Sequence, residues 1–269
     1  MRDVSIVATD LDGTLLRSDR TVSERTRASL RAASAAGITV IVVTARPPRW
    51  LDDIAGLHLH GYAICANGAV VVDLATGTHI ERFALSRDVV VDVSDAIRDG
   101  LPDVVFALET GVGFGHEPAY LSDWPTPPGT QVGDVATLVD VLDEPVKLLV
   151  RHAELGAHSL EALREITAGR CSISFSGGAG LIEIAPFGID KGTSLARLVA
   201  GLGRDATHVV AVGDMPNDLP MLRWAGHAAA VANAHPDLLA IADTILPSND
   251  DDGVAHLIES LLPGDDDRR

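Results

Sequence analysis

The chain has 269 residues, of which 21 are Lys or Arg and 38 are Asp or Glu, for a formal charge of −17. With 46% apolar and 22% charged residues it has a folding composition, long enough for one or two domains with a sizeable core. Such acidity speaks against nucleic acid and against an anionic membrane surface as partners. It leaves open a small phosphorylated molecule, provided local groups reverse the field.

Two cysteines, Cys65 and Cys171, stand alone in apolar stretches, without CxxC spacing. They are expected to be buried structural thiols. No apolar run approaches the ~18 residues of a membrane span. The first residues, MRDVSIVATDLDGT, carry carboxylates where a signal peptide would be apolar. The expectation is a cytoplasmic protein, a monomer or weak homo-oligomer.

In chain order, residues 4–9 (VSIVAT) read as a buried strand, short and rich in β-branched side chains. A helix follows over Thr21–Ala36, with Ser23 as N-cap and Gly37 as its stop. Residues 38–43 (ITVIVV) are a second apolar strand. Pro47 and Pro48 suit the first turn of a helix starting there, in which Trp50 is expected to be a core residue. Residues 62–66 form a third strand. This alternation predicts a parallel sheet covered on both faces.

After Asn67-Gly68 the pattern changes. Residues 69–73 and 79–84 flank Ala75-Thr76-Gly77, a hairpin signal. Helices are predicted over 87–99 and 158–168, and strands near 104–108, 112–116, 146–151, 171–176 and 181–185. Glu117–Gly133 holds four of the 14 prolines and is expected to be a long loop without regular structure. Within that loop, Trp124 is a candidate to pack or to gate a site. The first pattern then resumes: a helix over Lys191–Gly201, a strand over 208–212, a helix over Pro216–Trp224 containing Trp224 as a core residue, a strand over 228–232 and a helix over 254–262. GDDDRR ends the chain as a solvated tail. The organisation is therefore an α/β core in two pieces, 1–82 and 185–269, with an α+β insertion at 83–184.

Four clusters carry candidate chemistry. Asp10-Leu11-Asp12-Gly13-Thr14 directly follows the first strand, at the carboxyl edge where open parallel sheets bind ligands. Two neighbouring carboxylates suit a hard cation such as Mg²⁺; a turn with Asx capping explains the same spacing. Gly213-Asp214-Met215-Pro216-Asn217-Asp218 follows another strand. Asp214 could complete a Mg²⁺ site with Asp10 and Asp12, Asp218 could orient bound water behind it, and Asn217 offers a neutral amide. An ordinary acidic helix start is the plainer alternative. Thr44 stands at a strand tip before a helix start, an arrangement that binds anions or simply caps. Lys191 stands in a first helical turn, against the dipole, or merely at the surface. The ten His show no zinc spacing.

Taken together, Asp10–Thr14, Thr44, Lys191 and Gly213–Asp218 resemble, in order, the four motifs of the haloacid dehalogenase-like (HAD) hydrolase superfamily. Ala66–Ala69, Glu183–Pro186, Asn233-Ala234 and Ser248–Val254 resemble its Cof-type subfamily. The resemblance covers the core; the insertion matches a C2-type cap in position and pattern only. It implies a Rossmann-like, doubly wound parallel sheet with an inserted α+β cap domain.

It further implies a Mg²⁺-dependent phosphatase. Asp10 would be the nucleophile and Asp12 the general acid and base. Asp10, the backbone carbonyl of Asp12, and Asp214 would hold Mg²⁺. Thr44, Lys191, Asn217 and the N–H groups of Leu11 and Ala45 would bind the phosphoryl oxygens. Arg46 and Asn67 are candidate substrate contacts; a surface or sheet-edge role for Arg46 and a turn role for Asn67 are equally open. The partner would be a small phosphorylated metabolite, a sugar phosphate or a phosphorylated cofactor or precursor. A phosphomutase and a non-catalytic phospho-ligand sensor remain as alternatives. Pro216 and Val231-Ala232 depart from the family pattern without touching a motif residue.

Overall fold

The computed structural model describes residues 4–57, 59, 61–122, 125–142, 144–178 and 180–262. Trp124 and the acidic tail lie outside these residues. The first piece of the core runs β1 (Ile6–Thr9), α1 (Glu24–Ala35), β2 (Thr39–Val43), α2 (Asp52–Ala55), β3 (Tyr62–Cys65), β4 (Val70–Asp73) and β5 (His79–Arg82). Ser23 caps α1, its side chain accepting from the Thr26 N–H. The insertion runs α3 (Arg87–Gly100), β6 (Val105–Glu109), β7 (Phe114–His116), β8 (Gln131–Val132), α4 (Val135–Val141), β9 (Lys147–Arg151), α5 (Leu160–Ile166), β10 (Cys171–Ser174) and β11 (Leu181–Pro186). The second piece runs α6 (Lys191–Gly201), β12 (Val209–Gly213), α7 (Leu219–Trp224), β13 (His227–Val231), α8 (Pro236–Leu239), β14 (Thr244–Leu246) and α9 (Gly253–Leu261).

These strands form two sheets. The core sheet has the order β14-β13-β12-β1-β2-β3-β4-β5. It is parallel from β14 to β3, and the hairpin β4–β5 is added antiparallel. β1 lies between β12 and β2, so strands from both ends of the chain pair at its centre. Its side chains are buried on both faces, as a parallel sheet between helix layers requires. The strand order reverses beside β1, which places a crevice at its carboxyl end.

The cap sheet, β10-β11-β9-β6-β7-β8, carries α3, α4 and α5 on one face. Val90, Val93 and Ile97 of α3 meet Phe106, Leu108, Leu148 and Val150 there. Alternation leaves Ala107, Glu109, Lys147 and Leu149 on the opposite face.

Several expectations are corrected. Glu117–Gly133 is not wholly irregular, because Gln131–Val132 pairs parallel with β7. The predicted helix at Pro47–Pro48 is only a 3₁₀ turn, Pro48–Trp50, before the short α2. Trp50 is half-buried and lines a cavity instead of the core. Pro216–Asp218 is likewise a 3₁₀ turn leading into α7. Helices α4 and α8 and strand β14 were not anticipated; each is seven residues or shorter, too short for a period to show.

Candidate active site

The site assembles where β1 and β12 end together. The Asp10 N–H donates to the Val212 carbonyl (2.9 Å), which carries the pairing of the two strands one residue beyond β1. The chain then turns tightly through Leu11–Leu15, with Gly13 at φ +76°. A Cβ on Gly13 would stand 2.5 Å from Asp214 Oδ2, so the missing side chain is what lets the two strand tips approach. Thr14 Oγ1 donates to Asp214 Oδ1 at 2.8 Å and fixes that carboxylate.

Asp218 Oδ2 accepts from the N–H groups of Asp214 (3.1 Å) and Met215 (3.0 Å). Its Oδ1 accepts from Lys191 Nζ at 2.5 Å, and the same ammonium donates to Asp10 Oδ1 at 2.6 Å. Lys191 is buried in the first turn of α6, a position unfavourable for a cation by the helix dipole alone. Two carboxylates hold it there. Asp190 caps the helix, its side chain accepting from the Thr193 N–H.

Carboxylate oxygens of Asp10, Asp214 and Asp218 lie within 4.8 Å of one another, all three residues being buried. Burial raises Asp10 well above the usual carboxylate range; Lys191 opposes this and the charges of Asp218 and Asp214 add to it. Burial and then the Asp218 charge push Asp214 up to about 6. Burial would lower the Lys191 pKa, but the charges of Asp10 and Asp218 outweigh it and raise the value. One ammonium against three buried carboxylates leaves the cluster short of positive charge. A small cation with oxygen ligands would relieve that deficit, and Mg²⁺ fits this donor set.

Asp12 is turned differently. Its carboxylate is exposed to the crevice and grips Arg46, at 2.7 Å from Nε and 2.5 Å from Nη2. Arg46 is itself buried and held from behind by Asp53 (2.6 Å) and the Trp50 carbonyl (3.0 Å). In this structure Arg46 therefore serves Asp12, neither at the surface nor at a sheet edge. Thr44 is buried at the tip of β2, with Oγ1 accepting from the Arg46 N–H (3.1 Å). Leu11 is buried, and Ala45 lines the crevice. Asn67 is buried at φ +55°, so its turn role is real; its amide also accepts from Asn217 Nδ2 at 3.1 Å. The structure thus brings Asp10, Asp12, Thr44, Lys191, Asp214, Asn217 and Asp218 to one sheet edge.

Above this edge lies a cavity of about 280 Å³ between core and cap. Asp10, Asp12, Thr44 and Asn217 form its core side. Its cap side includes Glu109, Phe114, Tyr120, Lys147, Arg151 and Glu183. Of these cap residues only Glu183 was quoted from sequence, within Glu183–Pro186, and none was read as part of the site. The available signal was a charge in an otherwise apolar strand: Lys147 in KLLVR and Glu183 in LIEIAP. Both are buried, and Lys147 Nζ donates to Glu183 Oε1 at 2.5 Å.

A Rossmann-like core whose strand-end carboxylates and lysine face an inserted cap defines a phosphoryl-handling hydrolase. The chain belongs to the haloacid dehalogenase-like hydrolases, whose family profile it matches over residues 7–258, and it is a phosphatase of that superfamily, of Cof type. It is 29% identical over 259 residues to 5-amino-6-(5-phospho-D-ribitylamino)uracil phosphatase YcsE of Bacillus subtilis, covering 95% of each chain. It is 26% identical to pyridoxal phosphate phosphatase YbhA of Escherichia coli, covering 96% of this chain and 98% of that one. Among solved structures, SMU.1108c of Streptococcus mutans shares the fold with a TM-score of 0.84 at 24% identity, over 96% of this chain and 99% of that one. No helix among the described residues is long and apolar enough to cross a membrane.

Proposed function

We propose that the chain is a Mg²⁺-dependent phosphomonoesterase that hydrolyses a small phosphorylated metabolite through an aspartyl-phosphate on Asp10. The observation that carries this is the buried Asp10–Lys191–Asp218–Asp214 cluster, which meets the cavity between core and cap at Asp10. Asp10, Asp214 and the backbone carbonyl of Asp12 would hold the ion, with Asp218 behind them. The charge of the bound ion would offset the repulsion between carboxylates and phosphate.

An Asp10 oxygen forms the bond to phosphorus as the ester oxygen leaves with a proton from Asp12. Asp12 then takes a proton from the water that releases phosphate. Arg46 aims the Asp12 carboxylate for both transfers. Lys191, Thr44, Asn217 and the N–H groups of Leu11 and Ala45 hold the transferring oxygens, since phosphoryl transfer is chiefly positioning and charge stabilisation. The cap excludes bulk water.

The leaving group is a sugar, or a cofactor or its precursor; the substrates printed in the names of the two relatives support that range. We divide the chain into a core of residues 1–82 and 185–269 and a cap of residues 83–184, a division supported by the two separate sheets, with β11 straddling the second junction. Two buried free thiols and the acidic surface support a cytoplasmic monomer or weak homo-oligomer that binds neither nucleic acid nor membrane.

Asp10→Asn tests the mechanism. Release of phosphate from an aryl phosphate should fall by roughly 10⁴-fold or more, while the thermal midpoint stays within a few degrees. Turnover at the wild-type rate overturns it. The product separates hydrolase from mutase: free phosphate is expected, whereas an isomerised phosphosugar would favour the mutase.

A further inference from the structure

Two arms run from one buried ion pair of the cap to the core residues assigned to phosphate. Lys147 on β9 and Glu183 on β11 are both buried. Besides its bond to Glu183, Lys147 Nζ donates to the Ala45 carbonyl at 2.6 Å, in the segment that also carries Thr44. Glu183 Oε2 accepts from Asn67 Nδ2 at 3.1 Å, and Asn67 Oδ1 accepts from Asn217 Nδ2 at 3.1 Å. Ser174 of β10 takes the remaining proton of the Asn67 amide, Oγ accepting at 3.0 Å. Both Asn67 protons and its oxygen are thereby engaged within the protein. Asn67 is not left to contact substrate.

Asn217 is different. One Nδ2 proton goes to Asn67, which leaves the other for an anion, and its Oδ1 is buried with no partner. Asn217 lines the cavity beside Asp10. Its amide is oriented from one end only, and that end is Asn67. Burial would raise the Glu183 pKa, but the Lys147 charge and hydrogen bond outweigh it and hold the carboxyl below its ordinary value. Glu183 therefore stays ionised at neutral pH. The ion pair itself lies within the cap, and its contacts to the Ala45 carbonyl and to Asn67 are what cross to the core.

We propose that Lys147, Glu183 and Asn67 are positioning residues: the cap ion pair sets the phosphate-binding geometry of Asn217 through Asn67, and that of Thr44–Ala45 through the Ala45 carbonyl. This rests on the assignment of those core residues to phosphate. The specificity of a cap is ordinarily sought in contacts to the leaving group. Here two cap residues act on the phosphoryl end, across the domain junction, through Asn67 and the Ala45 carbonyl.

The test is binding of inorganic phosphate to the full chain in Mg²⁺, by calorimetry, in Asn67→Gly, Glu183→Gln and the double variant. Glycine keeps the positive φ at position 67 free of strain, and glutamine keeps the shape of Glu183. Each single variant should weaken phosphate about tenfold, the scale of one hydrogen bond to a charged group. The double variant should be no weaker than about the worse single, because one chain of contacts is broken in either case.

Unchanged phosphate affinity alongside a lowered thermal midpoint would overturn the proposal, as would full additivity. Should the variants fold poorly, the unaltered chain gives the answer by NMR. The side-chain amide signals of Asn67 and Asn217 should both shift on phosphate titration, and a shift at Asn217 alone overturns the coupling. Absence of any phosphate binding by the wild type would instead overturn the proposed function itself.

Discussion

At the scale of single residues, the site is governed by an imbalance of charge. Asp214, pushed up to about 6, binds its proton more tightly in the folded chain than the ordinary carboxyl near 4 does in the unfolded one. Without metal, the folded state thus holds the extra proton between those values, and stability from this group falls as pH rises through that window. Mg²⁺ held by Asp214, as proposed, would have to displace the same proton. Its apparent affinity should fall as pH drops below about 6, by up to about tenfold per unit. The check is a thermal melt of chelated protein with and without Mg²⁺: the gain in midpoint should be larger at pH 8 than at pH 5, and an equal gain contradicts the assignment of Asp214. Cys65, whose thiol burial raises to about 12, should resist alkylation at pH 8 until the chain unfolds. The gathering of the candidate residues at one sheet edge was legible beforehand. Asp10, Asp214, Lys191 and Thr44 stand directly at ends of apolar strands or starts of helices, where one-dimensional pattern and three-dimensional position coincide. The contacts of Arg46 and Asn67 to Asp53 and Glu183 were not legible, because those partners come from segments the sequence does not visibly connect to them.

At the scale of elements, the decisive piece is α6. It must present a lysine at its positive end, and it does so with Asp190 as N-cap and Thr193 closing the capping box. Asp190→Ala should cost about 1 kcal/mol, seen as a thermal midpoint lower by roughly 2–4 °C for a chain of this size; no change would mean that Lys191's own ion pairs suffice to start the helix. The first turn of α6 also meets α7 closely. A Cβ on Gly192 would fall 2.5 Å from the Pro220 backbone, so Gly192→Ala should destabilise by about 1–3 kcal/mol, measurable by urea unfolding. Elements of this kind were read from sequence where they were long or strongly apolar. The missed ones have specific reasons. β8 is two exposed residues held only by β7. α4 announces itself only through Asp134, whose side chain accepts from the Thr137 N–H, ahead of seven residues. β14, TIL, is an edge strand too short to alternate.

At the scale of the whole molecule, a chain of charge −17 has to admit a phosphate ester. Arg46 and Lys147 line the crevice but are paired with Asp12, Asp53 and Glu183, and Lys191 lies buried between Asp10 and Asp218, so a cation held by the carboxylate cluster would supply the missing positive charge. The long-range field remains repulsive to an anion. Raising ionic strength from about 0.02 to 0.2 M shortens the Debye length, so kcat/KM for a dianionic ester should rise by a few-fold in the presence of saturating Mg²⁺. A fall would mean that the local positive charge governs approach instead.

The central place of β1 has a consequence for synthesis. β2 and β3 leave the ribosome soon after β1 and can pair with one of its sides. The other side waits for β12, about 200 residues later, because Ile6 pairs with Val209. Throughout that interval an apolar strand offers an open edge to other nascent chains, and the cap has time to fold before the core closes. Asp10 likewise has no lysine until α6 emerges. The enzyme is therefore most vulnerable to aggregation while it is being made, and its acidic surface, which hinders the substrate later, keeps neighbouring half-made copies apart.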